Sequence, residues 1–184
     1  RPGLEAESAR CKPANVYGAS KREGEQQVAE ALKEALVLRV SWVCGNPDKP
    51  AFTESILSKA LAGAPLDAIA DKYSMPTDAE DIARAVLELL PLSASGVLHL
   101  CSGGEPVSWH DCAVIVLQHA AALGVLPCVP EVQRRLLSQA TFFREVRPRH
   151  TAMSNARLTA LGVHMPTATQ TLQRITERYL HAVN

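Results

Sequence analysis

The five cysteines of this chain (Cys11, Cys44, Cys101, Cys112 and Cys128) include no C-x-x-C pair, are widely separated and are odd in number. That argues against a disulfide framework and leaves reduced thiols in a cytoplasmic setting. The six histidines show no H-x-x-x-H or H-E-x-x-H spacing, so no metal site is expected. No apolar run approaches the ~20 residues of a membrane-spanning helix, and no signal peptide is visible. Formal net charge is +0, from 19 basic and 19 acidic residues, so no field favours nucleic acid or an anionic membrane. Neither G-x-G-x-x-G nor G-x-x-G-x-x-G occurs. Gly103-Gly104 is the only Gly pair, and Glu105-Pro106 behind it makes it a turn. The strand, Gly-rich turn and helix that cradle a dinucleotide pyrophosphate are therefore not in this chain.

What is present is ordinary for a packed domain: 47% hydrophobic and 21% charged residues in 184 positions, one domain's worth of chain. Periodicity predicts a helix over 16–35, with Val28, Ala29, Leu32 and Leu36 on one stripe. Gly24 inside it costs roughly 1 kcal/mol against Ala, which points to a close contact there. The apolar run Ala35–Val43 predicts a strand buried on both faces. A helix is expected at Phe52–Leu61, a strand at Leu66–Ala70, and a helix opened by a capping box at Thr77-Asp78-Ala79-Glu80 and closed at Pro91. A strand at Gly96–Cys101 and a long helix from Ser108 to about Leu123 follow. Residues 127–149 are loop-rich with a helix at Glu131–Leu137, and Ser154 and Thr167 cap two closing helices. This alternation predicts an α/β fold with a parallel sheet.

One stretch carries chemistry. In Asn15-Val16-Tyr17-Gly18-Ala19-Ser20-Lys21 a helix sets Tyr17 and Lys21 one turn apart on one face. A phenol ionises near pH ~10, and a neighbouring ammonium favours the phenolate. Such a Tyr can exchange a proton with a carbonyl or alcohol oxygen. Asp78, Glu80 and Asp81 complement a helix dipole without any catalytic role.

The motifs extend along the chain. Pro13-Ala14-Asn15-Val16-Tyr17-Gly18-Ala19-Ser20-Lys21 runs into Gly24-Glu25. Leu38-Arg39-Val40-Ser41-Trp42-Val43-Cys44-Gly45, then Pro76-Thr77 with Asp81-Ile82-Ala83, then Arg147-Pro148 with Met153 and Leu158 follow in order. Together they resemble the extended short-chain dehydrogenase/reductases of the dTDP-4-dehydrorhamnose reductase family. The resemblance implies the end of a Rossmann-like doubly wound parallel sheet (residues 1–50, with the Tyr-x-x-x-Lys helix) and a small substrate-binding part (mainly 51–184). The Gly-rich half and the triad Ser or Thr would lie upstream. The chain, which starts without Met, reads as the C-terminal part of a longer reductase.

The resemblance also implies NADPH, or NADH, as hydride source and a 4-keto sugar nucleotide as substrate. Tyr17 would be the proton donor, and Lys21 would tune Tyr17 and bind the nicotinamide ribose. Trp42 would pack on the sugar, Thr77 would sit beside the substrate, and Arg147 would grip the diphosphate. A homodimer is a possible assembly. Cys44, Ala51 and Ser74 depart from the family pattern (commonly Tyr, Asn and Gly), all near the expected sugar pocket. The chain is similar too to the regulatory β subunit of methionine adenosyltransferase, including Arg147-Pro148-Arg149. That likeness implies a non-catalytic partner of another enzyme.

Overall fold

A computed structural model describes residues 3–46 and 51–183. Helix α1 spans Val16–Ala31 and leads into strand β1, Leu36–Val40. The short strand β2 (Val43–Cys44), helix α2 (Phe52–Leu61) and strand β3 (Leu66–Ile69) follow. Two more short strands, β4 (Tyr73–Ser74) and β5 (Thr77–Asp78), precede helix α3, Ala79–Leu89. Strand β6 (Gly96–Leu100) and β7 (Val107–Ser108) lead into helix α4, Trp109–Ala122. Strand β8 (Val132–Arg135), the short helix α5 (Ala156–Ala160) and helix α6 (Ala168–Val183) complete the chain.

Parallel pairing dominates. β1 runs parallel to β6 with Leu38 opposite Leu98, and β3 runs parallel to β8 with Leu66 opposite Val132. β2 pairs with β5 in parallel, and β4 with β7 antiparallel. The larger core forms where α2, α4 and α6 cover β3 and β8, around Leu57, Val116, Leu117 and Leu172. The α4 residues Cys112, Ala113, Val116, Leu117 and Ala120 share one stripe at helical spacing and are all buried. Burying each large member contributes roughly 1.5–3 kcal/mol. A second core joins β1 and β6 to α3 and α5 through Leu89, Leu98, Leu100 and Leu158.

Several expectations are corrected. Residues 131–137 are not a helix: Val132–Arg135 is β8, held by β3 across a long sequence interval that local pattern does not reveal. The N-cap of α3 is Asp78, whose Oδ1 accepts from the Glu80 N–H, while Thr77 lies in β5. Asn155 precedes α5, although the Ser154 hydroxyl does accept from the Ala156 N–H. Thr167 caps α6 as expected, accepting from the Gln170 N–H at 3.2 Å. α1 ends at Ala31, its apolar stripe stays open with Val28 and Leu32 exposed, and it buries no residue. A Cβ built at Gly24 meets nothing within 4 Å, so no close contact explains that glycine. β1 is half-buried rather than covered on both faces, because among the described residues it pairs only with β6.

Candidate active site

The start of α1 is fixed by one side chain. Asn15 Oδ1 accepts from the Gly18 N–H at 2.8 Å and caps the helix. Its amide nitrogen donates to the Val146 carbonyl at 2.9 Å. A single asparagine thus ties the helix of Tyr17 to the segment of Arg147. On the helix, Lys21 Nζ stands 5.4 Å from the centre of the Tyr17 ring, and both side chains are exposed. Glu25, one turn further, forms a two-pronged pair with Arg39 of β1 at 2.8 and 2.6 Å. The Arg39 hydrogen bond holds the Glu25 carboxyl below its usual range against an opposing push from burial.

Beyond β1 the backbone turns sharply. Trp42 has φ 27, a value that bulky L-residues adopt only under constraint. The constraint is visible: the Trp42 carbonyl accepts from the Thr77 N–H, and the neighbouring Ser41 hydroxyl donates to the Thr151 carbonyl at 3.2 Å. The ring that results stacks on Trp109, and Phe52 leans on both. Phe143 meets Trp109 edge-on and touches Phe142. The chain has two Trp and three Phe, and this one cluster holds them all.

Trp42, Trp109 and Phe143 of this cluster line a cleft of about 800 Å³ that also takes in Tyr17, Ser74, Lys72 and Arg147. Three of the residues expected at a site (Tyr17, Trp42, Arg147) therefore meet in one place. Lys21 sits beside the cleft through its contact with Tyr17. Thr77 is not brought to it. That residue is fully buried, its hydroxyl donates to the Met75 carbonyl at 2.9 Å and accepts from the Ser102 N–H at 3.2 Å. With its hydroxyl engaged on both sides, Thr77 serves the backbone around it.

All three departures from the family pattern can be placed, and only Ser74 of them lines this cleft, Ala51 lining a second hollow. Cys44 is buried and donates to the Thr77 carbonyl, and burial first, with Asp78 next, pushes its thiol up to about 12. It is inert as a nucleophile. Ser74 lines the cleft with a buried hydroxyl that has no hydrogen-bond partner. Sequence reasoning missed Lys72, Trp109 and Phe143. Trp109 carried no signal beyond a helix start, while the side chains of Lys72 and Phe143 reach the cleft only through tertiary folding. Trp109 also lines a second hollow of about 630 Å³, together with Ala51, Phe52 and Phe142.

A parallel α/β fold with a Tyr-x-x-x-Lys helix beside an aromatic cleft defines a Rossmann-like class, and solved structures share the fold. Yersinia enterocolitica dTDP-4-dehydrorhamnose reductase superposes with a TM-score of 0.83 at 22% identity, over 96% of this chain and 61% of that one. The Bacillus anthracis dTDP-4-dehydrorhamnose reductase in complex with NADP gives 0.81 at 23%, over 97% and 60%. The chain belongs to the family described as the RmlD substrate binding domain, whose model matches residues 5–181. Among curated relatives, a dTDP-4-keto-6-deoxy-D-glucose reductase from Streptomyces niveus is 30% identical over 151 residues, 82% of this chain and 50% of that protein. A dTDP-4-dehydrorhamnose reductase from Burkholderia thailandensis is 31% identical over 165 residues, 84% and 55% respectively. The chain thus spans about half the length of these curated relatives. Among the described residues no helix is long and apolar enough to cross a membrane.

Proposed function

We propose that this chain is the substrate-binding part of an NADPH-dependent reductase acting on the 4-keto group of a dTDP-sugar. The observation that carries this reading is the convergence of Tyr17, Trp42 and Arg147, from three distant segments, on one cleft. Residues 1–50 form the end of the dinucleotide-binding core and 51–184 mainly the sugar-nucleotide part. Strand β6 crosses back to pair with β1 and locks the two together.

Tyr17 and Lys21 stand exposed on one face of α1 beside the cleft, and these residues fit a nicotinamide ribose. When bound, NADPH (or NADH) supplies the hydride for the carbonyl carbon. Tyr17 gives its phenolic proton to the carbonyl oxygen as negative charge develops there. Lys21 holds the ribose, with its ammonium over the Tyr17 ring. The Trp42 ring packs on the apolar face of the deoxysugar, and Arg147 offers a planar fork to the diphosphate. Named relatives are reductases, which supports this reading over a purely regulatory role. Five free cysteines suit a reducing, cytoplasmic setting. The open edge of β1 is available to a further strand, from the rest of the reductase or from a second copy.

Thermal unfolding of the full-length protein with dTDP or a dTDP-sugar tests the reading. At 100 times Kd the ligand should add roughly 2.7 kcal/mol of stability. Trp42→Ala should reduce the sugar-dependent increment more than the dTDP increment. Absence of any stabilisation by dTDP ligands, with a partner enzyme co-purifying, would point to the regulatory role instead.

A further inference from the structure

Several arginines of this molecule are matched by acids. Arg39 has Glu25, Arg135 has Asp67, Arg149 has Asp71, and Arg174 and Arg178 of α6 have Asp81 and Asp78. Lys72 and Arg147 differ: neither forms an ion pair among the described residues. Each rides on an aromatic ring. Lys72 Nζ is 5.7 Å from the Trp109 ring centre, and the Arg147 guanidinium is 5.2 Å from that of Phe143. Those two rings touch edge-on at 5.9 Å, which brings the two cations to the same wall of the cleft.

The electrostatics of that wall are one-sided. Burial first, and then Arg147, depress the Lys72 ammonium pKa, and no carboxylate acts against them. Glu5 lines the same cleft but does not counter Lys72. Lys72 is half-buried and Arg147 exposed, and two like charges at one wall draw an anion that joins them. Further hydrogen-bonding groups wait beside them. The Ser74 hydroxyl (1% exposed), the Trp109 indole N–H and His150 Nδ1 are buried and have no partner, and all three residues line the cleft. Buried polar atoms are seldom left unmatched in a native fold, so several in one cavity mark a polar ligand.

We propose that Lys72 and Arg147 form a two-cation cradle for a diphosphate, with Ser74 Oγ and Trp109 Nε1 as neutral donors, and that Lys72 sets the preference for a doubly phosphorylated nucleotide. The proposal rests on the sugar-nucleotide reading above and adds a residue to it. The diphosphate is that of the nucleotide sugar. The pyrophosphate of a dinucleotide cofactor sits on a Gly-rich turn, which this chain does not contain.

Calorimetry on the full-length protein with dTDP, dTMP and NADP⁺ decides it. Lys72→Met should weaken dTDP at least tenfold, dTMP by less, and NADP⁺ not at all, while Lys72→Arg should return dTDP to within a few-fold of wild type. The Lys72 ammonium pKa, followed by titrating its side-chain resonances, should rise on adding dTDP but not thymidine, a readout that needs no variant. Unchanged dTDP affinity in Lys72→Met, or a Lys72 resonance indifferent to dTDP, overturns the cradle and leaves the reductase reading intact. Equal losses for dTDP and NADP⁺ overturn its assignment to the nucleotide sugar. Failure of the wild-type protein to bind any nucleoside diphosphate overturns both.

Discussion

Trp42 and Trp109 stack with ring centres 5.3 Å apart and planes 20° from parallel, although they sit on separate segments of the chain. The stack is worth about 0.5–1.5 kcal/mol beyond the area it buries. It is bought with backbone strain at Trp42, whose φ is 27. Replacing Trp42 therefore separates the two effects. Gly normally costs about 0.5–1 kcal/mol relative to Ala in a structured position. Here Trp42→Gly should be at least as stable as Trp42→Ala, because only Gly accepts that φ freely. Urea unfolding compares them directly, and a Gly variant weaker by about 1 kcal/mol would remove strain from the account.

Tyr17→Phe keeps the ring against Lys21 and removes the hydroxyl. In the full-length reductase kcat should fall by at least ~100-fold with KM for the sugar nucleotide nearly unchanged. Lys21→Met should lower kcat and weaken cofactor binding together. A Tyr17→Phe enzyme with full turnover would exclude the mechanism given above.

Gly45 holds a place for a buried ion pair. Its φ is +79, and a Cβ there would lie 2.6 Å from Asp78 Oδ1 and 3.1 Å from Arg178 Nη2. Asp78 is 1% exposed, and the Arg178 guanidinium pins it. Gly45→Ala should cost about 2 kcal/mol, from the left-handed backbone and the displaced carboxylate together. Arg178→Met should cost about 3 kcal/mol, near the low end for a stranded buried charge because the Arg178 head is 29% exposed. Chemical denaturation measures both, and the double variant should cost less than the sum.

Acid should loosen α1 before the rest. The Glu25 carboxyl is held below its usual value of 4.5, chiefly by Arg39. A depressed folded-state pKa gives stability that is complete above the unfolded value and lost as pH falls through the folded one. Because α1 buries no residue, the Glu25–Arg39 pair is a large share of its attachment. Amide-exchange protection in α1, taken against the intrinsic rate at each pH, should fall ahead of that in α4 as pH drops below the usual carboxyl value of 4.5. Arg39→Met should abolish that acid step and leave α1 fast at neutral pH. Identical pH profiles for α1 in the two proteins would refute this.

The elements legible in the sequence were those whose signal is local. The Ser108 cap with Asp111 at its third position, the Phe52–Leu61 stripe and the Thr167 cap all lie within one or two turns of chain, and the structure has them. β8 was illegible because Gln133, Arg134 and Arg135 have no apolar alternation, and only β3 makes them a strand. Within the cleft, Tyr17, Trp42 and Arg147 were readable as motif members. Lys72 and Phe143 were not, since their meaning comes from Trp109 standing between them. Thr77 misled because a Thr two residues before a helix also satisfies a strand, and the fold used it for the strand.

Because both indoles of the chain belong to the stacked pair, the intrinsic ultraviolet emission of these residues originates at a single spot. Lys72 above one ring and the unmatched indole N–H beside it make that emission sensitive to charge and hydration at the same place. The protein thus carries a built-in optical sensor of cleft occupancy. A fluorescence melt would then record when the two rings part, together with loosening of the α2–α4–α6 interior on which Trp42 packs.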